Sequence, residues 1–209
     1  MLERIFDMDN PLMRALSVAA DLILLNLLTV FCSIPVFTWG ASYTALNDLV
    51  GHLVRGEEGY VAKSFFQSFR TNFKKGVLLG LRLLVAGGVL AVDIYALRKA
   101  MFAVRIFFYV LAMWLLLLAI LSFALLSRYE NSIIVTLKNA VSLVVGFFPY
   151  CLGILCTTMV FLGILFVFWS RLLPVVLLMG VSLPCYVNAL FFVRIFDRLE
   201  ERNTTEESA

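Results

Sequence analysis

Few residues in this chain of 209 could do chemistry, and those that could lie inside apolar stretches. Arg82 interrupts one such stretch, where an arginine costs roughly 2.5 to 3.5 kcal/mol on insertion scales. Asn188 lies at a similar depth in another stretch, and Asp48 lies in a short segment on the same side. We therefore expect a buried polar cluster of Arg82 with Asn188 or Asp48. The alternative is that the arginine reaches lipid phosphates at the inner surface.

Two carboxylates form a second candidate pair. Asp21 and Asp93 each lie inside a long apolar stretch, at depths that place both in the outer leaflet of a membrane. Ionisable residues at such positions often serve transport or catalysis, so the two could meet in an intramembrane site. In the alternative interpretation, each side chain reaches the outer interface or pairs with a nearby arginine.

The cysteines and the one histidine do not indicate a metal site. All four cysteines lie in apolar stretches, there is no C-x-x-C pair, and His52 is the only histidine. Buried cysteines usually act as small apolar residues. The chain also contains no H-E-x-x-H, G-x-S-x-G or phosphate-loop pattern. We therefore expect no metal, no cofactor and no enzymatic activity.

The composition excludes a soluble globular protein. Hydrophobic residues make up 62% of the chain and charged residues 15%, and the mean hydropathy is +0.97. Soluble domains are about half apolar and about a quarter charged. The net charge of +3 is too small and too scattered to indicate binding to nucleic acid. The sequence thus predicts an all-α membrane protein in contact with the lipid bilayer.

Five apolar stretches have about the length that crosses a ~30 Å hydrocarbon core. Pro11 favours a helix start after Asn10, and Pro35 with Gly40 favours an end or a kink. A run of 32 residues without charge, from Asn139 to Ser170, is too long for one span, and Pro149 is predicted to divide it. The predicted spans are about 15–37, 76–97, 103–126, 150–169 and 172–193, within one membrane domain that ends in a polar tail, 194–209.

Three shorter segments are predicted as interfacial helices at about 41–55, 61–75 and 131–147. The first could also be re-entrant. In the second, three phenylalanines recur every four residues and basic residues occupy another face, which is typical of a helix at the membrane surface. A soluble amphipathic helix packed on protein is the alternative. The residues of this surface helix are Lys63, Phe65, Phe69, Arg70, Phe73 and Lys74.

A short internal similarity suggests a duplicated unit. Residues 64–70 and 132–138 share the pattern small, apolar, apolar, any, hydroxyl, apolar, basic, and each precedes a predicted span. Duplication is common in transport proteins of membranes. Chance similarity between two amphipathic helices explains the pattern equally well.

The distribution of Lys and Arg predicts an orientation. With the N-terminus outside, ten basic residues fall in inside segments and six in outside segments. The positive-inside rule then places the N-terminus outside, the C-terminus inside, and residues 61–75 on the cytoplasmic face.

The first third of the chain resembles the YesL-like family of bacterial membrane proteins, whose molecular function is not established. The resemblance spans roughly residues 9 to 75 and rests on an ordered series of short matches. These are Asp9-Asn10-Pro11, Asp21 with Leu25-Asn26-Leu27-Leu28, Pro35, Gly40-Ala41-Ser42, Thr44-Ala45-Leu46, Arg55-Gly56-Glu57-Glu58-Gly59-Tyr60, Ser64-Phe65-Phe66, Ser68-Phe69-Arg70 and Asn72-Phe73-Lys74.

The resemblance implies a protein of the bacterial cytoplasmic membrane that is associated with carbohydrate uptake and utilisation. It supplies no catalytic or ligand-binding residue. The leading hypothesis is a non-enzymatic accessory protein whose partners are sugar-transporter subunits. The alternatives are a small-solute transporter or channel that uses Asp21, Arg82, Asp93 and Asn188, and an intramembrane enzyme. No oligomeric state is predicted.

Overall fold

The computed structural model describes residues 11–57, 59–99, 101–167 and 178–207. The regular structure of these residues is entirely helical, which confirms the all-α class. Short 3-10 helices, Val36–Thr38 and Leu97–Lys99, connect some of the longer ones. The α-helices are α1 (Pro11–Cys32), α2 (Trp39–Val54), α3 (Val61–Ala96), α4 (Phe102–Arg128), α5 (Ile133–Gly146), α6 (Phe148–Val167) and α7 (Ser182–Glu207).

Four helices in the described part of the chain are long and apolar enough to cross a membrane. They are Met13–Cys32 within α1, and the helices α3, α4 and α6. The chain is therefore a multi-pass membrane protein. The predicted spans 103–126 and 150–169 correspond to α4 and α6, although residues 168 and 169 lie outside the described part. The predicted span 15–37 corresponds to α1, which ends at Cys32, three residues before Pro35.

Helix α3 differs from the prediction, because one helix replaces the two elements expected at 61–75 and 76–97. It runs for 36 residues without a break, a length of about 54 Å at 1.5 Å per residue. The segment contains no proline, and Gly76 lies against the backbone of α2, where a glycine allows close packing. The basic first half and the apolar second half thus belong to one continuous helix.

The predicted fifth span, 172–193, also differs. Residues 172–177 lie outside the described part of the chain. Residues 178 and 179 are helical, residues 180 and 181 form a turn, and α7 then begins at Ser182. Helix α7 continues to Glu207, so residues 194–207 of the expected polar tail are helical.

Helix α2 lies in the middle of the protein instead of at its surface. It packs against α1, α3, α4 and α7. Ala41, Ala45, Leu46 and Val50 are completely buried. An interfacial helix keeps one side in lipid or water, so the interfacial interpretation of 41–55 does not fit this packing. A re-entrant helix, which turns back beside α1, fits it.

Glycines allow α2 and α3 to approach closely. A Cβ atom added to Gly76 would lie 2.8 Å from the Cα of Ala41, and one added to Gly80 would lie 3.0 Å from the Cα of Gly40. Cβ atoms essentially never approach backbone atoms as closely as at Gly76, so only glycine permits the packing there, and the contact at Gly80 is also tighter than most Cβ contacts. The two helices run antiparallel, with the end of α2 beside the start of α3.

The second half of the chain forms its own hydrophobic cluster from α4, α5, α6 and α7. It includes Leu121, Val144, Ile154 and Ile195. Helix α5 falls within the predicted helix 131–147, and the Ser132 hydroxyl caps it by accepting the N–H of Val135 at 3.5 Å.

The internal similarity aligns positions that are equally buried. Phe65 and Ile133 are both buried, as are Ser68 and Thr136, at the offset of 68 residues. The second copy departs from the first at Phe147, where a turn separates α5 from α6.

Candidate functional site

A large cavity with many polar side chains in its wall lies where the first turns of α1 and α3 meet the last turns of α2 and α4. Its volume is about 1310 Å³. Ligand pockets commonly enclose about 300 to 1,000 Å³, so this cavity has room for a small solute and water. Several residues in its wall are exposed, including Ser17, Gln67 and Glu130, so the cavity opens to the surface.

One wall of the cavity is a stripe of uncharged polar side chains on α3. Five residues at spacings of three and one share a single helix face, because 3.6 residues make a turn. The Asn72 amide donates to the Ser68 hydroxyl at 3.5 Å. We call this set the α3 polar stripe, and it consists of Ser64, Gln67, Ser68, Thr71 and Asn72.

The end of α2 places a charged group on the opposite wall. His52 Nδ1 lies 2.5 Å from Glu57 Oε2, and His52 Nε2 lies 3.7 Å from Asp48 Oδ1. The Arg55 guanidinium lies 3.5 Å from the Glu57 carboxylate. The hydrogen bond with His52 lowers the pKa of the Glu57 carboxyl below its ordinary value of 4.5, and the positive charges of His52, Arg55 and Arg128 lower it further.

A glycine turn makes this arrangement possible. Gly56 follows α2 with φ = +73°, the left-handed conformation that glycine adopts readily after a helix. The N–H of Gly56 donates to Leu53 O, and that of Glu57 donates to His52 O, each at 3.1 Å. The turn directs Glu57 back toward His52.

The end of α4 completes the cavity with Arg128, Tyr129 and Glu130. The Arg128 guanidinium lies 4.5 Å from the centre of the Phe196 ring on α7. Tyr129 packs against the same ring, with 5.8 Å between ring centres. These contacts hold the end of α4 against α7.

The two aspartates that could have met are far apart. Asp21 is partly buried and lies beside residues 59–63 in the wall of a smaller pocket, at the start of α3. Asp93 follows thirty residues after Lys63 on the same helix, about 45 Å further along its axis. The prediction that Asp21 and Asp93 share a leaflet is therefore wrong. It assumed that residues 41–75 stay at the end of the protein where α1 finishes, whereas α2 runs back along α1 and α3 begins at Val61 beside Asp21.

The structure does not bring Arg82, Asn188 and Asp48 together. Arg82 is exposed on α3. Asn188 is buried on α7, and its side-chain amide donates to the Thr158 hydroxyl at 3.2 Å. Asp48 lies in the cavity wall beside His52. Helix α2 packs against both α3 and α7. The position of a residue in the sequence predicts its depth in the membrane, but it does not predict which side of the helix bundle that residue's helix occupies.

The surface helix predicted at 61–75 also needs correction. Phe65 is completely buried among residues of α1 and α2, and it stacks on Phe69, which contacts Phe73. The phenylalanine face thus packs largely on protein, so Phe65 cannot enter lipid. The outward side of this helix carries Lys63, Phe66, Arg70 and Lys74, all of which are exposed.

The α3 polar stripe was missed in the sequence because the phenylalanine periodicity dominated the segment. The signal was present, since hydroxyl and amide residues at 64, 67, 68, 71 and 72 follow helical spacing. In the part of the chain that the structure describes, no three His, Cys, Asp or Glu residues are grouped so as to hold a metal ion. What the cavity offers chemically is a set of hydrogen-bond donors and acceptors.

Comparison with known proteins gives one match. Residues 22–94 match a family model described as a protein of unknown function, DUF624. The matched segment contains α2, the second half of α1 and nearly all of α3. It thus includes the cavity walls on α2 and α3, whereas the cavity-lining residues of α1, from Met13 to Asp21, precede it. No curated protein and no solved structure matches the chain.

Proposed function

We propose that the protein is a non-enzymatic accessory protein of a carbohydrate uptake or utilisation system in the bacterial cytoplasmic membrane, and that it binds a polar solute in the cavity. The YesL-like proteins, which residues 9–75 resemble, belong to the DUF624 family that residues 22–94 match. The link to carbohydrate and to transporter subunits comes from that resemblance.

The polar cavity is the observation that carries the proposal. A well-formed pocket in which a few polar groups converge is the ordinary candidate for a ligand-binding site. The α3 polar stripe presents uncharged donors and acceptors at three levels along one helix face, opposite Asp48 and His52. The hydroxyl groups of a sugar both donate and accept, so such a wall can bind them without neutralising a charge.

The proposal is tested with the purified full-length protein and a panel of neutral mono- and disaccharides. We expect at least one sugar to raise the melting temperature, because a ligand that binds only the folded state stabilises it. The double variant Ser68→Ala with Asn72→Leu should lose this shift. Ser142→Ala, an exposed change on α5 outside the cavity wall, should retain it.

The accessory role has its own test. Gentle extraction of native membranes should recover transporter subunits together with the protein. Recovery of the protein alone, combined with sugar uptake by liposomes that contain only this protein, contradicts the accessory role.

A small-solute transporter is a second candidate, because α1, α3 and α4, which are long enough to span a membrane, supply walls of the cavity. In that case Asp21→Asn and Asp48→Asn should slow uptake by the purified protein in liposomes. Asp93→Asn, far from the cavity, is the matched control. Equal uptake by all three variants contradicts the transporter.

A further inference from the structure

The chain reverses direction between α1 and α3, so α1 and α3 begin at the same end of the protein. A Cβ atom on Gly56, just after α2, would lie 2.9 Å from the Arg14 guanidinium on the first turns of α1. Asp21 shares a pocket wall with residues 59–63. Helix α2 thus returns the chain to the end from which α1 starts.

The other helices place their ends consistently. Helix α4 runs back along α3 and ends in the cavity wall at Arg128. Helix α7 starts beside the middle of α1, and Phe196 in its later turns packs on Tyr129. The end of the protein that carries the cavity, here the cavity end, therefore holds the starts of α1 and α3 and the ends of α2, α4 and α7.

Basic residues concentrate at the cavity end. Among the described residues, seven lysines or arginines lie near it, whereas three lie at the opposite end, where α3 joins α4. Lys74, Lys75, Arg82 and Lys138 lie between the two. The seven are Arg14, Arg55, Lys63, Arg70, Arg128, Arg194 and Arg198, and the three are Arg98, Lys99 and Arg105.

We infer that the cavity end faces the cytoplasm and lies against the anionic headgroups of the inner leaflet, so that the cavity takes its solute from the cytoplasm. The positive-inside rule assigns the side richer in Lys and Arg to the cytoplasm. This orientation keeps residues 61–75 and the end of α7 inside. It moves the start of α1 inside as well, which reverses the sequence-based expectation of an outside N-terminus.

The exposed side of α3 fits the headgroup partner. Lys63, Arg70 and Lys74 follow one another at spacings of seven and four, which aligns them on one helix face. Further along the same face, Leu78, Leu81 and Val85 are exposed and apolar. The change from basic to apolar side chains along one outward face matches the passage from headgroups to hydrocarbon.

Single cysteines on a background without the four native cysteines test this orientation. Ser17→Cys on α1 and Ser64→Cys on α3 both lie in the cavity wall, and Met101→Cys lies at the opposite end. With an impermeant thiol reagent on intact cells, we expect only Met101→Cys to react. In inside-out vesicles, Ser17→Cys and Ser64→Cys should react and Met101→Cys should be protected.

Each other labelling pattern overturns the inference. If Ser17→Cys reacts from outside while Ser64→Cys is protected, the starts of α1 and α3 lie on opposite sides of the membrane. Labelling of neither cavity cysteine in inside-out vesicles shows that the cavity is closed to the cytoplasm. If the cysteine-free protein does not fold, the test uses the protein with its four cysteines and a fluorescent protein fused before Met1. Because this fluorescent protein matures only in the cytoplasm, a fusion that is not fluorescent contradicts the inference. Sugar binding by detergent-purified protein is independent of orientation, so either claim can fail alone.

Discussion

The side-chain oxygen of Asn26, in the middle of α1, accepts a hydrogen bond of 3.0 Å from the backbone N–H of Ser182, the first residue of α7. The same oxygen accepts the N–H of Val181 at 2.9 Å. The first N–H groups of a helix have no partner within it, so Asn26 does for α7 what an N-cap residue does for its own helix. One completely buried side chain on α1 thus fixes where α7 begins.

Replacing Asn26 with leucine should destabilise the protein by about 1–3 kcal/mol, because it leaves buried N–H groups at the start of α7 without an acceptor. Leu27→Ala is the neighbouring control, since Leu27 is exposed on the outer side of α1. Thermal unfolding in detergent compares the two. A loss for Leu27→Ala as large as that for Asn26→Leu contradicts the capping role.

Gly76→Ala should be far more damaging than Gly88→Ala, although both glycines lie inside α3. The added methyl at Gly76 meets the α2 backbone, and such overpacking typically costs about 1–3 kcal/mol. No atom lies within 4 Å of a methyl at Gly88, where alanine should be neutral or up to about 1 kcal/mol more stable. Chemical unfolding of the two variants measures the difference, and equal stabilities refute the close packing of α2 on α3.

Much of the helical arrangement could be predicted from the sequence because hydropathy determines it locally. Pro11 and Pro149 mark helix starts within a residue or two of their predicted places. The continuity of α3 could not be predicted in this way. Its amphipathic first half looks like a separate surface helix, and only the packing of Phe65 on α1 and α2 shows that the phenylalanine face is internal.

The cavity and the partners of the polar residues depend on which helices are neighbours. The sequence gives the depth of Arg82 and Asn188 but not the rotation of α3 or the side of α2 on which α7 lies. Because α2 runs back beside α1, the start of α3 lies at the same end of the protein as the start of α1. For this reason Asp21 joins the cavity with Asp48 instead of pairing with Asp93.

Alanine substitutions at the neighbouring residues Phe65 and Phe66 should distinguish a side chain that packs inside the protein from one that faces outward. Phe65 is completely buried, and removing a buried phenylalanine side chain typically costs about 3–5 kcal/mol, so Phe65→Ala should unfold at a clearly lower temperature. Phe66 is 47% exposed on the outward side of α3 and should tolerate alanine. Thermal unfolding of both variants tests the burial, and the reverse order of stabilities indicates that α3 is rotated.

Glu57 should make stability depend on pH in the acidic range. Its pKa in the folded protein is lower than the ordinary 4.5, so the folded state favours the charged carboxylate. This contribution is fully present above the ordinary value and is lost as the pH falls through the lower, folded value. The difference in melting temperature between the natural protein and Glu57→Gln should therefore shrink as the pH falls below 4.5. In a His52→Gln background, most of this difference should already be absent. A difference that grows toward low pH has the wrong sign for this arrangement.

The last prediction concerns Asn188, whose partner is Thr158 and not Arg82. Since the Asn188 amide donates to the Thr158 hydroxyl, Asn188→Leu and Thr158→Val should couple in a double-mutant cycle. Hydrogen bonds inside membrane proteins average about 0.6 kcal/mol and reach about 1.7 kcal/mol in such cycles. Arg82→Lys should be mild, because an exposed lysine also reaches lipid phosphates, and its effect should add to that of Asn188→Leu. Coupling of Arg82 with Asn188, together with additive effects at Asn188 and Thr158, restores the cluster predicted from the sequence and contradicts the contact between α6 and α7.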